Sequence, residues 1–196
     1  LEQELKYLKS QIQPHFLFNT LNNLYGLSLQ NSGKTSEAIL QLSELVSFML
    51  YQSDRKAIPL YSEIEMIVNL FELERLRTTS DIEFSFAKPD TIQEILIPPL
   101  LLLPLAENAF KFGIGDEDDA NEIELTITIE NGYLIFETNN RIRCNIKSDQ
   151  PKNGGFGLKT LAQRLELMYQ SDFKLETETR GDFFHAKVIF PINRRQ

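Results

Sequence analysis

The spacing of apolar residues changes near residue 57, and that change bounds what the chain can fold into. Before it, apolar residues recur at helical spacing. They fall at Leu1, Leu5, Leu8 and Ile12, then at Leu17, Leu21 and Leu24, and later at Ile39, Leu42, Val46 and Met49. The stripe shifts phase at Pro14. A proline removes one helical hydrogen bond and kinks the axis, which accounts for the shift. Asn31-Ser32-Gly33-Lys34 is a turn. The first part therefore reads as an antiparallel helical hairpin, residues 1–57. Such a hairpin cannot bury its apolar faces alone. Pairing with a second copy into a four-helix bundle solves this most simply, so a homodimer is expected.

Arg55 to Pro59 marks the boundary, and 58–196 reads as a second domain with mixed periodicity. Ser62 and Glu65 have capping-box spacing, which predicts a helix from Ser62 to about Arg77. Residues 82–87 alternate as a strand does, and 93–97 are a shorter candidate. Pro99 suits the first position of a helix carrying Leu100 to Phe112, with a bend at Pro104. Strong alternation over 122–130, then Asn131-Gly132, then 133–139, predicts a tight hairpin. A long polar loop, 141–155, precedes an amphipathic helix over 157–169. Residues 173–179 and 184–192 make a final hairpin through Arg180-Gly181-Asp182. The fold class is α+β: a helical hairpin, then an α/β sandwich with helices on one face of a largely antiparallel sheet.

Composition narrows the functions available. With 28 acidic against 20 basic side chains the net charge is −8. That argues against a broad nucleic-acid surface, though not against a local phosphate site. A single cysteine, Cys144, excludes an internal disulfide and a thiolate zinc cluster, and fits a reducing compartment. The apolar run 95–106 is too short to span a bilayer and contains three prolines. No signal peptide is visible, and the chain starts inside a helical pattern without methionine. It reads as a fragment with further sequence upstream.

Three constellations carry chemistry. On a wheel of 100° per residue, His15 lies opposite the Leu17, Leu21, Leu24 stripe, in a column with Gln11, Asn19, Asn22 and Asn23. A neutral imidazole is nucleophilic near neutral pH, and an amide one turn away can fix its tautomer. A surface histidine on an ordinary helix is the plainer reading. Glu107, Asn108 and Lys111 share one helical neighbourhood. They supply a carboxylate, a hard oxygen ligand for Mg²⁺ and a phosphate-binding ammonium. An ordinary Glu-Lys pair on a solvated face explains the same spacing. Gly154-Gly155-Phe156-Gly157 opens a helix, where bare backbone and free N–H groups can meet phosphates. A flexible loop end is the alternative.

The order of these segments resembles the sensor histidine kinases related to the autolysin regulators. Gln11-Ile12-Gln13-Pro14-His15-Phe16-Leu17-Phe18-Asn19 is the specific part of the likeness. Leu42 to Leu45, Ile97 to Leu100, Leu105 to Ala109, Gly155 to Thr160 and Arg164-Leu165 also look like that family. The resemblance implies a dimerisation helix pair followed by a Bergerat-type ATP-binding fold. It implies that His15 receives the γ-phosphoryl group of ATP, with Asn19 orienting the acceptor. Asn108 would hold Mg²⁺, Glu107 would stand beside it as a base, and Lys111 would lie near phosphate. Gly155 and Gly157 would bracket the nucleotide at a lid, and Asn140 would meet the adenine amine. The implied partners are a response-regulator protein and an upstream membrane sensor region. The implied location is the cytoplasmic side of an inner membrane. This sequence departs from the pattern at Phe112, where many members have His. It has no Asp-x-Gly-x-Gly near Asn140, and an acidic run at 116–119. These departures motivate an alternative, a weakened pseudokinase acting as a dimeric scaffold. A third reading is an ATPase that only hydrolyses nucleotide.

Overall fold

The computed structural model describes residues 21, 25, 26, 28, 33, 35–52, 55–78, 80–90, 92, 95–115, 121–142 and 156–194. His15, Asn19 and Gly155, the Pro14 kink and most of the polar loop lie outside the described residues.

The first complete helix is α1, Thr35–Tyr51. Its inward row is Ala38, Leu42, Leu45 and Met49, at helical spacing. Ile39, expected on that face, is 55% exposed, and Leu40 is 63% exposed. The stripe is turned because α1 packs on the next helix, α2, Leu60–Arg77. Asn69 of α2 donates to Glu44 of α1 at 3.2 Å. Ala38, Leu45 and Met49 share one apolar core with Ile58, Leu60 and the rest of the chain.

Helix α2 follows a two-residue strand, β1, Ile58–Pro59. It starts two residues before the expected capping box, and no side chain caps it. Pro59 precedes it at φ −58, an angle its ring favours, so the helix needs no serine to start. Strands β2, Ile82–Ala87, and β3, Ile95–Ile97, come next. Helix α3 is Leu103–Gly113. The expected start at Pro99 is corrected: Pro99 and Leu100 form a turn, and Pro104 sits in the first turn of α3 instead of bending it. Proline is tolerated there because its missing N–H has no helical partner.

Strands β4, Asn121–Glu130, and β5, Tyr133–Arg141, pair antiparallel, with Ile127 opposite Phe136. Asn131 at φ 52 and Gly132 at φ 85 turn the hairpin, as the Asn-Gly pair requires. Helix α4, Phe156–Tyr169, is followed by β6, Lys174–Arg180, and β7, Phe183–Pro191. A last strand, β8, Asn193–Arg194, pairs with β3, which also pairs with β1. The main sheet has the order β2-β4-β5-β7-β6, with only the β2–β4 pair parallel. Ile123, Leu125, Leu134, Phe136, Ala186, Val188 and Phe190 bury one face of it. Helix α3 packs on β4, β5 and β7, and α4 packs on α3 and β7. Phe71, Phe84 and Phe110 tie α2, β2 and α3 together, with Phe71 and Phe84 stacked at 3.8 Å. The architecture is the expected helical element followed by an α/β sandwich.

Candidate functional site

Helix α3 carries three of the expected polar residues. Glu107 and Asn108 are half-buried, and Lys111 is exposed. Burial pushes the Glu107 carboxyl up, Lys111 one turn away opposes the shift, and Glu74 adds to it. A carboxylate held above its ordinary range is a better proton acceptor near neutral pH. The Lys111 ammonium stands 5.3 Å from the ring centre of its neighbour Phe112, a cation–π contact.

The two ends of α3 meet two further expected residues. Gly157, at the start of α4, faces Pro104: a Cβ there would lie 3.9 Å from the Pro104 Cβ. Pro104 is one helical turn before Asn108, so Gly157 and Asn108 fall on neighbouring turns. At the other end, a Cβ on Gly113 would lie 3.0 Å from Cβ of Asn140 and 3.0 Å from Cγ1 of Ile123. Gly113 is nine positions after Pro104, roughly 14 Å at the helical rise. Gly157 thus lies beside the first turn of α3 and Asn140 against its last residue, on the inward side of the helix, whereas Asn108 and Lys111 lie on its outer side.

Asn140 points inward with Thr138 and Phe136, on the face that meets α3, and is 0% exposed. Its Nδ2 donates to the Arg141 carbonyl at 3.2 Å. Its Oδ1 is buried with no hydrogen-bond partner among the described residues. A buried acceptor without a donor is unfavourable by about 1–3 kcal/mol.

Gly113 permits this arrangement, because only a residue without Cβ lets α3 approach β4 and β5 so closely. Gly113→Ala should destabilise the fold by about 1–3 kcal/mol through overpacking. Thermal unfolding monitored by circular dichroism checks it, and an unchanged midpoint would remove the argument.

Two buried charged residues, Glu63 and Arg164, have roles that the sequence does not assign. Glu63 of α2 is 0% exposed, and its carboxylate accepts from the N–H groups of Leu100 at 2.9 Å, Leu102 at 2.6 Å and Leu103 at 3.2 Å. Arg164 of α4 is also 0% exposed and donates to the carbonyls of Leu100 and Pro99, both at 2.6 Å. The signal was present: each is a charge inside an apolar stripe, Glu63 between Leu60 and Ile67, Arg164 between Leu161 and Leu165.

On the opposite face of the sheet, Glu124, Thr126, Glu137, Asn139, Arg180, Phe183 and His185 line an open groove of about 400 Å³. His185 lies 3.6 Å from Glu137 and 3.7 Å from Glu178. No three carboxylate, imidazole or thiol groups among the described residues are placed to hold a metal ion. No helix among them is long and apolar enough to cross a membrane.

Residues 3–82 match the family model described as histidine kinase. The chain is 26% identical over 200 residues to the sensor protein LytS of Enterococcus faecalis, covering 95% of this chain and 34% of that protein. It is 25% identical over 206 aligned residues to the sensor histidine kinase/phosphatase LytS of Staphylococcus aureus, covering 100% of this chain and 35% of that one. It therefore spans about a third of the length of these relatives. A solved histidine kinase domain, from the blue-light activated histidine kinase EL346 of Erythrobacter litoralis, superimposes with a TM-score of 0.55 at 14% identity. That match covers 97% of this chain and 91% of the other. The histidine kinase AdeS of Acinetobacter baumannii matches at 0.50 and 12%, covering 94% and 98%. The fold is that of histidine-kinase catalytic regions. The chain is homologous to LytS-type sensor kinases across almost its whole length.

Proposed function

We propose that this chain is the catalytic region of a sensor histidine kinase. ATP binds along α3, and His15 accepts the γ-phosphoryl group. The observation that carries the reading is the buried Asn140 acceptor at one end of α3, with Asn108 and Gly157 toward the other. Asn140 Oδ1 would accept from the adenine amine. Asn108 would hold Mg²⁺, which supplies charge neutralisation at the phosphates. Lys111 would meet a phosphate oxygen once released from Phe112. Gly155 and Gly157 would let backbone approach the nucleotide. The imidazole of His15, oriented by Asn19, attacks the γ-phosphorus as the bond to the ADP oxygen breaks. Glu107 takes the imidazole proton. Positioning and electrostatics do most of this work.

In this reading residues 1–57 are the dimerisation and phosphoacceptor hairpin, and 58–196 the ATP-binding domain. The exposed Ile39 and Leu40 on α1, with Leu21 at 47% and Tyr25 at 65% exposure, suit a face that a second copy covers. The phosphoryl group would pass to an aspartate of a response regulator. An upstream membrane sensor region would place this part of the protein on the cytoplasmic side.

Calorimetry with ATP and Mg²⁺ tests the site. Asn140→Leu keeps the size and removes the acceptor, so it should weaken ATP binding by about tenfold, the value of one hydrogen bond of roughly 1.4 kcal/mol. Equal affinity in both proteins would count against the adenine contact. The weakened pseudokinase is the second reading, favoured by the uncharged Asn140 and by Lys111 resting on Phe112. It predicts no heat of binding at millimolar nucleotide.

A further inference from the structure

The turn that starts α3 is held in a backbone conformation its residues disfavour. Leu100 stands at φ 61, in the left-handed region. For a residue with a Cβ that conformation is strained by about 1–2 kcal/mol and persists only where the surroundings over-determine it. Here they do. The Leu100 N–H donates to Glu63 and the Leu100 carbonyl accepts from Arg164. Glu63 also accepts from Leu102 and Leu103, the N–H groups that open α3 and have no helical partner. Arg164 adds the Pro99 carbonyl. Two side chains, from α2 and α4, thus bind five backbone groups of one turn.

We propose that Glu63 and Arg164 are positioning residues for phosphoryl transfer: together they fix the Pro99–Leu103 turn, and through it the pose of α3 and its Glu107 and Asn108. The inference rests on the kinase reading above. Neither side chain is assigned contact with nucleotide. Their effect runs through the turn, because α3 begins where their hydrogen bonds end. The same clamp ties three elements. Glu63 sits on α2, which packs on α1. Arg164 sits two turns after Gly157 on α4. Movement of α1 or of the α4 start would therefore reach α3 through this turn. Bulk burial explains the pair less well, since two apolar side chains of similar size would fill the space without desolvating charge.

The test compares the full chain with Glu63→Gln, Arg164→Lys and the double variant. Mg-ATP affinity and the rate of self-phosphorylation are measured well below each melting temperature. Glutamine keeps shape but loses an anionic acceptor. Lysine keeps charge but loses the fork that reaches two carbonyls. Each single variant should lose about 10- to 100-fold in phosphorylation rate or ATP affinity while still melting cooperatively, since displacing a catalytic constellation by about 1 Å costs that much. The double variant should lose no more than the worse single, as for residues acting on one turn. Lower melting temperatures with unchanged affinity and rate would overturn the proposal, and so would loss of the folded state in both single variants, since the pair would then be structural only. A wild-type chain that binds no ATP would instead overturn the kinase reading. Wild-type binding and labelling matched by both variants would overturn the clamp alone.

Discussion

His15→Ala should leave the chain without an acid-labile phosphoryl group after incubation with γ-labelled ATP and Mg²⁺, while the wild-type chain acquires one. The expected loss is complete, because the variant removes the nucleophile and leaves the nucleotide site intact. The only other imidazole in the sequence is His185. It cannot substitute. On β7 it is paired with Asn139 and Glu178, on the sheet face away from α3, whereas Phe184 is paired with the inward Asn140. Wild-type labelling that survives in His15→Ala, or that disappears in His185→Ala, would overturn the assignment of the acceptor. ATP binding should be unchanged in the His15 variant, which separates loss of the acceptor from loss of the site. Steady phosphate release without labelled protein would point to the plain ATPase.

How much of this was legible in the sequence depends on the range of the interactions concerned. The β4–β5 hairpin was readable because alternation and Asn131-Gly132 are local signals. Asn140 lies beyond the strand expected over 133–139; β5 runs on to Arg141 and turns Asn140 inward with Phe136 and Thr138. The start of α3 was misplaced because two prolines, Pro99 and Pro104, each fit a first turn. What decides between them is Glu63, 37 residues from Leu100 in the chain. Strands β1 and β8, of two residues each, are too short to show a period. The Ile39 face was misread because helical spacing fixes a stripe only to within a residue, and the packing of α1 on α2 chose Ala38. The roles of Glu63 and Arg164 are not legible because their partners are backbone groups, which no residue pattern records.

The pH dependence of stability should carry the mark of Glu63. Burial pushes its carboxyl from the ordinary 4.5 up to about 7, against the lowering effect of three backbone N–H groups and the Arg164 guanidinium. The other titratable group against this pair is Tyr169, pushed up to about 12 by burial and so neutral in the range concerned. Burial also lowers Arg164 to about 10, which leaves it protonated at neutral pH. Between pH 4.5 and about 7 the folded chain keeps a proton on Glu63 that the unfolded chain has released. Stability from this group is therefore full below 4.5, falls as pH rises, and levels off above about 7. That interval, at about 1.4 kcal/mol per pH unit, comes to roughly 3 kcal/mol. Denaturant unfolding of wild type and Glu63→Gln at several pH values isolates the effect, since other titrating groups cancel in the difference. Wild type should lose about 3 kcal/mol relative to the variant between pH 4 and pH 8. A flat difference would mean that the carboxylate is not desolvated as its burial implies. The direction matters for function. A buried carboxylate whose ionised form weakens the fold is hard to explain by stability, and is understandable where its hydrogen bonds hold a strained turn and the helix that follows it.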